Sequence, residues 1–194
     1  LKQSSKESTS DPIMLIMPSD HMIRNTHKLQ QTIRSGFELA NLGYMVTFGI
    51  EPTKPHTGYG YIKMGSPIEL SVQSPERTRE GKYLQISNFT EKPNIQTAKS
   101  YFKSGRYLWN SGIFMMKSSV WLSELEIYRP DILSACLKSW QYGSTNEYIR
   151  KPKKEWFEHC PSESIDYAVM EKASTDTSLE TKSLVSKCAV IPME

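Results

Sequence analysis

The run Ile13-Met14-Leu15-Ile16-Met17-Pro18-Ser19-Asp20-His21 decides how the rest of the 194-residue chain is read. Five apolar residues in succession, without period-2 alternation, suit a strand buried on both faces of an α/β sheet. Pro18 stops the ladder because it has no N–H to donate. Asp20 follows just past the strand's carboxyl end, the edge at which open α/β sheets bind ligands. A carboxylate there is a hard oxygen donor of the kind Mg²⁺ takes when it bridges phosphates. Asp is also a common cap of a turn or of the next helix. On these nine residues alone the cap is the simpler assignment.

Downstream, Leu29, Ile33, Phe37 and Ala40 recur at helical spacing, with Gln31, Ser35 and Glu38 opposite and Gly43 as the stop. Tyr44–Ile50 is β-branched and aromatic, which predicts a second strand. Strand, helix, strand in so short a span is the βαβ unit of a parallel sheet. Glu51–Gly60 carries two prolines and two glycines and predicts a loop whose backbone can approach a ligand. Short strands are expected at Tyr61–Met64 and Tyr83–Thr90, separated by a polar surface insertion over Ser66–Lys82.

The second half continues the alternation. Asn94 caps a helix bearing Ala98, Tyr101 and Phe102, closed by Gly105. Trp109–Gly112 reads as a turn leading into the strand Ile113–Met116. Two helical patterns follow, through Trp121–Tyr128 and Ile132–Trp140, with Asp131 in the second one's first turn. Ser162–Lys172 is a further helix, Thr175–Ser186 a polar loop, and Lys187–Met193 a closing strand.

Composition narrows the function classes. Hydrophobic residues make up 38% of the chain, which suits one folded domain with a substantial core. No apolar run is long enough for a membrane span, and Leu1–Ser10 is too polar for the core of a signal peptide. The formal charge of +3 is nearly balanced, without the clustered basic stripe that nucleic acid demands. Arg150, Lys151, Lys153 and Lys154 around Pro152 read as a solvated linker. Cys136, Cys160 and Cys188 stand far apart in sequence, which predicts reduced thiols and a cytoplasmic setting. The four histidines show no ligand spacing for zinc. Neither a phosphate-binding P-loop, nor a G-x-G-x-x-G fingerprint, nor a nucleophile elbow is present.

What remains is a set of polar turns, each closing an apolar stretch, and these motifs occur in an order that resembles one family. Met17-Pro-Ser-Asp-His21, Thr47–Ile62 with its Gly58-Tyr-Gly60, Phe89-Thr-Glu-Lys-Pro93 and Trp109-Asn-Ser-Gly-Ile-Phe114 are four of them. With Tyr128-Arg-Pro-Asp-Ile-Leu133 and Glu163–Lys172, they are similar to bacterial mannose-1-phosphate guanylyltransferases from about Asp11 to Met193.

The resemblance implies an α/β, Rossmann-like nucleotidyltransferase domain with a mostly parallel mixed sheet flanked by helices, incomplete at both ends. Residues 1–194 would form a single partial domain, the sugar-phosphate-binding part. It also implies synthesis of GDP-mannose and pyrophosphate from GTP and mannose 1-phosphate with Mg²⁺, and allows a homo-oligomer. Asp20 matches the family's metal-binding aspartate, and Lys92 the lysine that holds the sugar phosphate. Glu91 and Asn110 match residues that meet sugar hydroxyls, and Gly60 the loop glycine whose backbone meets the sugar.

The family's glycine-rich triphosphate loop and its second metal aspartate have no counterpart here, so the chain as written is expected to be inactive by itself. A non-catalytic sugar-phosphate-binding module is the alternative from another class. A bifunctional parent named for mannose-6-phosphate isomerase is a third.

Overall fold

The computed structural model describes residues 11–70, 83–146, 148–175 and 188–193. Six strands form one mixed sheet in the order β1-β5-β2-β8-β4-β3. Their bounds are β1 (Ile13–Ile16), β2 (Met45–Ile50), β3 (Tyr61–Pro67), β4 (Leu84–Thr90), β5 (Tyr107–Lys117) and β8 (Cys188–Met193). A separate hairpin joins β6 (Ser144–Asn146) to β7 (Ile149–Lys151).

Strands β1, β2, β3 and β8 run one way, yet β2–β8 is the parallel pair and every other neighbouring pair among the described residues is antiparallel. The expectation of a mostly parallel ladder is therefore corrected. The first strand and the second are parallel to each other, as a βαβ unit requires, but β5 lies between them and pairs antiparallel with both. A strand arriving some sixty residues later in the chain leaves no mark on the local pattern.

Helix α1 (Thr26–Asn41) covers one face of the sheet. Its N-cap Asn25 accepts from Lys28 N at 3.0 Å, and the chain turns after it at Gly43, φ +89°. The buried stripe is Thr32, Gly36, Leu39 and Ala40, while Phe37 is exposed. The helix is thus rotated from the expected apolar face, because Gly36 has no Cβ and seats the backbone against the Phe48 ring. On the other face lie α3 (Ser118–Tyr128), a π-helical turn over Asp166–Met170 and the short helix α6 (Glu171–Thr175). Along β8, Cys188 and Val190 enter one core while Ala189 and Ile191 enter the other. Phe114 and Met116 of β5 alternate with Ile113 and Met115 in the same way.

Among the described residues, strand β1 lies at the edge of the sheet and is not buried on both faces. Ile13 and Met14 pack against opposite cores, but Leu15, Ile16 and Met17 are each 37–42% exposed. An unbroken apolar run cannot distinguish a central strand from an edge whose cover gives out halfway.

The expected turn at Trp109–Gly112 is instead the middle of β5, where a bulge is inserted. Thr47 pairs with Phe114 and Gly49 with Asn110, so two steps on β2 are matched by four on β5. Gly112 absorbs the distortion at φ +72°. The basic patch is likewise not a plain linker. Arg150 belongs to the β6–β7 hairpin, donates to Thr145 Oγ1 and Trp140 O, and lies over the Trp140 ring.

Helices α2 (Ile95–Ser104) and α4 (Pro130–Gln141) occupy the expected stretches, and α5 (Lys154–Phe157) adds one short turn. The opening Leu1–Ser10, most of the Ser66–Lys82 insertion and nearly all of the Thr175–Ser186 loop lie outside the described residues.

Candidate functional site

Strand register builds the site. Tyr61 pairs with Thr90 of β4 on one side and Trp109 of β5 on the other. The next step therefore sets Gly60 between Glu91 and Asn110, and Asn110 N donates to Gly60 O at 2.8 Å. The absent side chain at residue 60 matters, since a Cβ there would overlap Glu91 Oε2 and stand 3.3 Å from Asn110 Cβ.

Glu91 is 91% buried in its side chain, from a relative exposure of 9%. Its Oε1 faces Lys92 Nζ at 3.4 Å, and its Oε2 is buried with no hydrogen-bond donor among the described residues. A buried acceptor with no donor costs free energy unless a ligand supplies one. Burial raises the Glu91 pKa, the nearby Asp166 carboxylate raises it further, and Lys92 works against both. Lys92 is mostly exposed, and among the described residues it alone of the non-glycines has a positive φ, +46°. Backbone held there by a side-chain-bearing residue is a mark of functional turns. Lys92 N donates to Tyr59 O at 3.3 Å, which ties this turn to the Gly58-Tyr-Gly60 loop.

The bulge of β5 aims Asn110. Its Oδ1 accepts from Thr47 Oγ1 at 2.9 Å and from Gly112 N at 3.2 Å, and its Nδ2 donates to Asp166 Oδ1 at 2.9 Å. Asp166 also has a raised pKa, chiefly through burial. Glu171 Oε1 accepts from Glu91 N at 2.6 Å. Aromatic rings line the loop side: Tyr59 stacks on His56 at 4.3 Å and meets Trp109 edge-on at 4.9 Å. Tyr61 Oη donates to His56 O and accepts from His56 N, both at 2.9 Å, and so fastens the loop to the sheet.

Gly60, Glu91, Lys92 and Asn110 are thus gathered at one place. Asp20 is not among them: it sits exposed in the turn after β1 and makes no hydrogen bond or ion pair with the four among the described residues. The turn does approach the β5 bulge, since a Cβ on Gly112 would touch Pro18 Cγ at 3.3 Å. No group of three or more His, Cys, Asp or Glu among the described residues could hold a metal. A single exposed carboxylate fits an ion that takes its other ligands from phosphates and water, and does not fit a caged metal.

Sequence reasoning missed Thr47, Asp166, Glu171 and the Tyr59–Trp109 wall. It also missed that Cys136 and Cys160, 24 residues apart, lie with sulfurs 4.0 Å from each other. The three cysteines are free, and burial pushes the Cys188 thiol up to about 12. Among the described residues no helix is long and apolar enough to cross a membrane.

The chain is 40% identical over 198 residues to mannose-1-phosphate guanylyltransferase 2 of Escherichia coli O157:H7, covering 100% of this chain and 36% of that protein. It is 41% identical over 164 residues to the xanthan biosynthesis protein XanB of Xanthomonas campestris pv. campestris (strain B100), covering 84% and 32% respectively. The chain thus spans about a third of the length of the curated relatives it matches. A crystal structure named as mannose-6-phosphate isomerase from Helicobacter pylori superposes with a TM-score of 0.74 at 26% identity, over 96% of this chain and 64% of that one. The family described as nucleotidyl transferase matches residues 1–159, so the chain belongs to the nucleotidyl transferase family.

Proposed function

We propose that the protein carrying this chain transfers a guanylyl group from GTP to mannose 1-phosphate, giving GDP-mannose and pyrophosphate, and that the chain supplies the sugar-phosphate side of the site. The observation that carries the reading is the unpartnered, buried Glu91 Oε2 beside Gly60, with a cation one residue away. A buried carboxylate acceptor suits sugar hydroxyls, which can donate to it, and the adjacent ammonium suits the phosphate on the same sugar. The relatives named for this reaction, about 40% identical over most of the chain, point the same way.

In this reading the sugar lies beside Gly60, whose missing side chain leaves room for the Glu91 carboxylate. Glu91 accepts from one sugar hydroxyl, Asn110 donates to a sugar oxygen, and Lys92 neutralises the phosphate. Holding the sugar phosphate in this way presents one of its phosphate oxygens for in-line attack on the α-phosphorus of GTP, with pyrophosphate leaving opposite. Catalysis of such a transfer rests on positioning and on charge stabilisation. Nucleotidyl transferases of this family generally use a divalent metal. Asp20 would hold Mg²⁺, which stabilises the charge that develops on the phosphate oxygens.

The test is direct. The purified protein is given GTP and mannose 1-phosphate with Mg²⁺, and GDP-mannose and pyrophosphate are quantified against glucose 1-phosphate and the other nucleoside triphosphates. Equimolar GDP-mannose and pyrophosphate, with mannose 1-phosphate preferred, supports the reading. Preference for another sugar phosphate, or no nucleotide sugar, overturns it. The name of the Helicobacter pylori neighbour adds one arm, conversion between mannose 6-phosphate and fructose 6-phosphate.

A further inference from the structure

We infer that Asp166 and Glu171 are the positioning residues of the sugar site, presented together by the π-turn between them. Asp166 sets the Asn110 amide, and Glu171 holds the Glu91–Lys92 turn. The inference deepens the proposed function and rests on it for the identity of the substrate.

The argument begins with spacing. Residues five apart on an α-helix point about 140° away from each other, so an ordinary helix would send one of these two carboxylates off the site. Here Glu171 N bonds to Asp166 O, the i→i+5 closure of a π-turn. The wider turn brings position 171 back towards the face of position 166. Both side chains then reach the site: Asp166 Oδ1 to Asn110 Nδ2 in the β5 bulge at 2.9 Å, and Glu171 Oε1 to Glu91 N just past β4 at 2.6 Å. Ala168, Val169 and Met170 of the same turn are buried, which anchors it against the sheet.

The consequence for Asn110 is specific. Its oxygen is taken by Thr47 Oγ1 and Gly112 N, and one of its two amide hydrogens by Asp166. One N–H is left for a ligand. The site therefore offers one fixed donor at Asn110 and one fixed acceptor at Glu91 Oε2, on either side of Gly60. Such a pair recognises a polyol by the placement of its oxygens. Glu171 meanwhile binds the backbone that carries both Glu91 and the strained Lys92.

The test compares removal with conservative replacement in the intact protein. Asp166→Ala and Glu171→Ala are each expected to raise KM for mannose 1-phosphate about tenfold, with KM for GTP unchanged within about twofold. Asp166→Asn and Glu171→Gln keep an acceptor oxygen and should stay within about threefold of wild type. An unchanged sugar-phosphate KM in both alanine variants overturns the inference, as does an equal rise for both substrates or failure of the amides to rescue. A separate arm needs no turnover. Hydrogen exchange at the Glu91 amide should accelerate about tenfold in Glu171→Ala but not in Glu171→Gln. If the protein proves to use another sugar phosphate, the proposed substrate falls while this arm still decides the role of Glu171. Unaltered exchange in Glu171→Ala overturns that role whatever the substrate.

Discussion

Gly60 and Glu91 are fitted to each other: a methyl group on residue 60 would occupy the place of Glu91 Oε2. Asn110 Cβ and Phe89 Cζ, each 3.3 Å from that methyl position, leave no second direction of escape. Gly60→Ala must therefore displace the carboxylate or widen the β3–β4 register. Overpacking of this kind costs about 1–3 kcal/mol. The expected result is a melting temperature lowered by a few degrees and KM for mannose 1-phosphate raised more than KM for GTP. Thermal melts and two-substrate kinetics check both parts, and a variant indistinguishable from wild type in the sugar-phosphate dependence would show that Glu91 Oε2 is not the acceptor.

Thr47 tests whether the orientation of Asn110 matters apart from its presence. The hydroxyl of this fully buried residue stands 2.9 Å from Asn110 Oδ1 and 3.0 Å from Ile113 O. Thr47→Val keeps the shape and removes the donor, leaving buried acceptors short of a partner at a cost of about 1–3 kcal/mol. Stability should fall by that amount in denaturant melts. The sugar-phosphate KM should rise less than in Asn110→Ala, because Gly112 N and Asp166 still hold the amide.

β2 and β8 were legible because they are buried on both faces and their composition says so. The order of strands was not, since β5 enters between β1 and β2 from far along the chain. Gly60, Glu91, Lys92 and Asn110 were named from their motifs, and register explains why they lie together. Asp166 and Glu171 were out of reach because a five-residue spacing is off-face on an α-helix, and nothing in Asp166-Tyr-Ala-Val-Met-Glu171 announces a π-turn. Arg129 stood in the Tyr128–Leu133 motif, but its pairings could not be read from it. It pairs with Asp131 at the head of α4, holding that carboxylate down at about 2, and also with Glu163, which starts the stretch leading to Asp166.

Burial raises the pKa values of Glu91 and Asp166 in the folded chain, and this fixes the sign of a pH effect. A carboxyl whose folded pKa lies above its unfolded one binds its proton more tightly when folded. Its contribution to stability is fully present below the unfolded value and is lost as pH rises through the folded value. Wild-type protein should therefore lose melting temperature as pH climbs out of the ordinary carboxylate range. Glu91→Gln should flatten that slope and melt higher at about pH 7, while losing affinity for the sugar phosphate. Under the proposed function, a stability gained by removing this charge is the expected trade at a binding site. Melts of both proteins across this range decide it, and a Glu91→Gln variant that melts lower at neutral pH would show that the buried carboxylate is compensated.

Lys92 separates backbone from charge. Its φ of +46° is a left-handed conformation that costs an L-residue about 1–2 kcal/mol. Its ion pair with Glu91, with the lysine 57% exposed, contributes no more than about 1 kcal/mol. Lys92→Gly should then be more stable than Lys92→Ala by about 1 kcal/mol, since only glycine is at ease there. Both variants lose the ammonium. Contacts of that class to a phosphate are worth about 1.5–3 kcal/mol, so both should lose about ten- to a hundredfold in kcat/KM for mannose 1-phosphate, with the GTP dependence little changed. Stability and activity are thereby expected to part company: the glycine variant recovers the first and not the second. If Lys92→Gly restored sugar-phosphate kinetics along with stability, the residue would be a turn former and nothing more. If neither variant altered those kinetics, the phosphate would have to be held by another group.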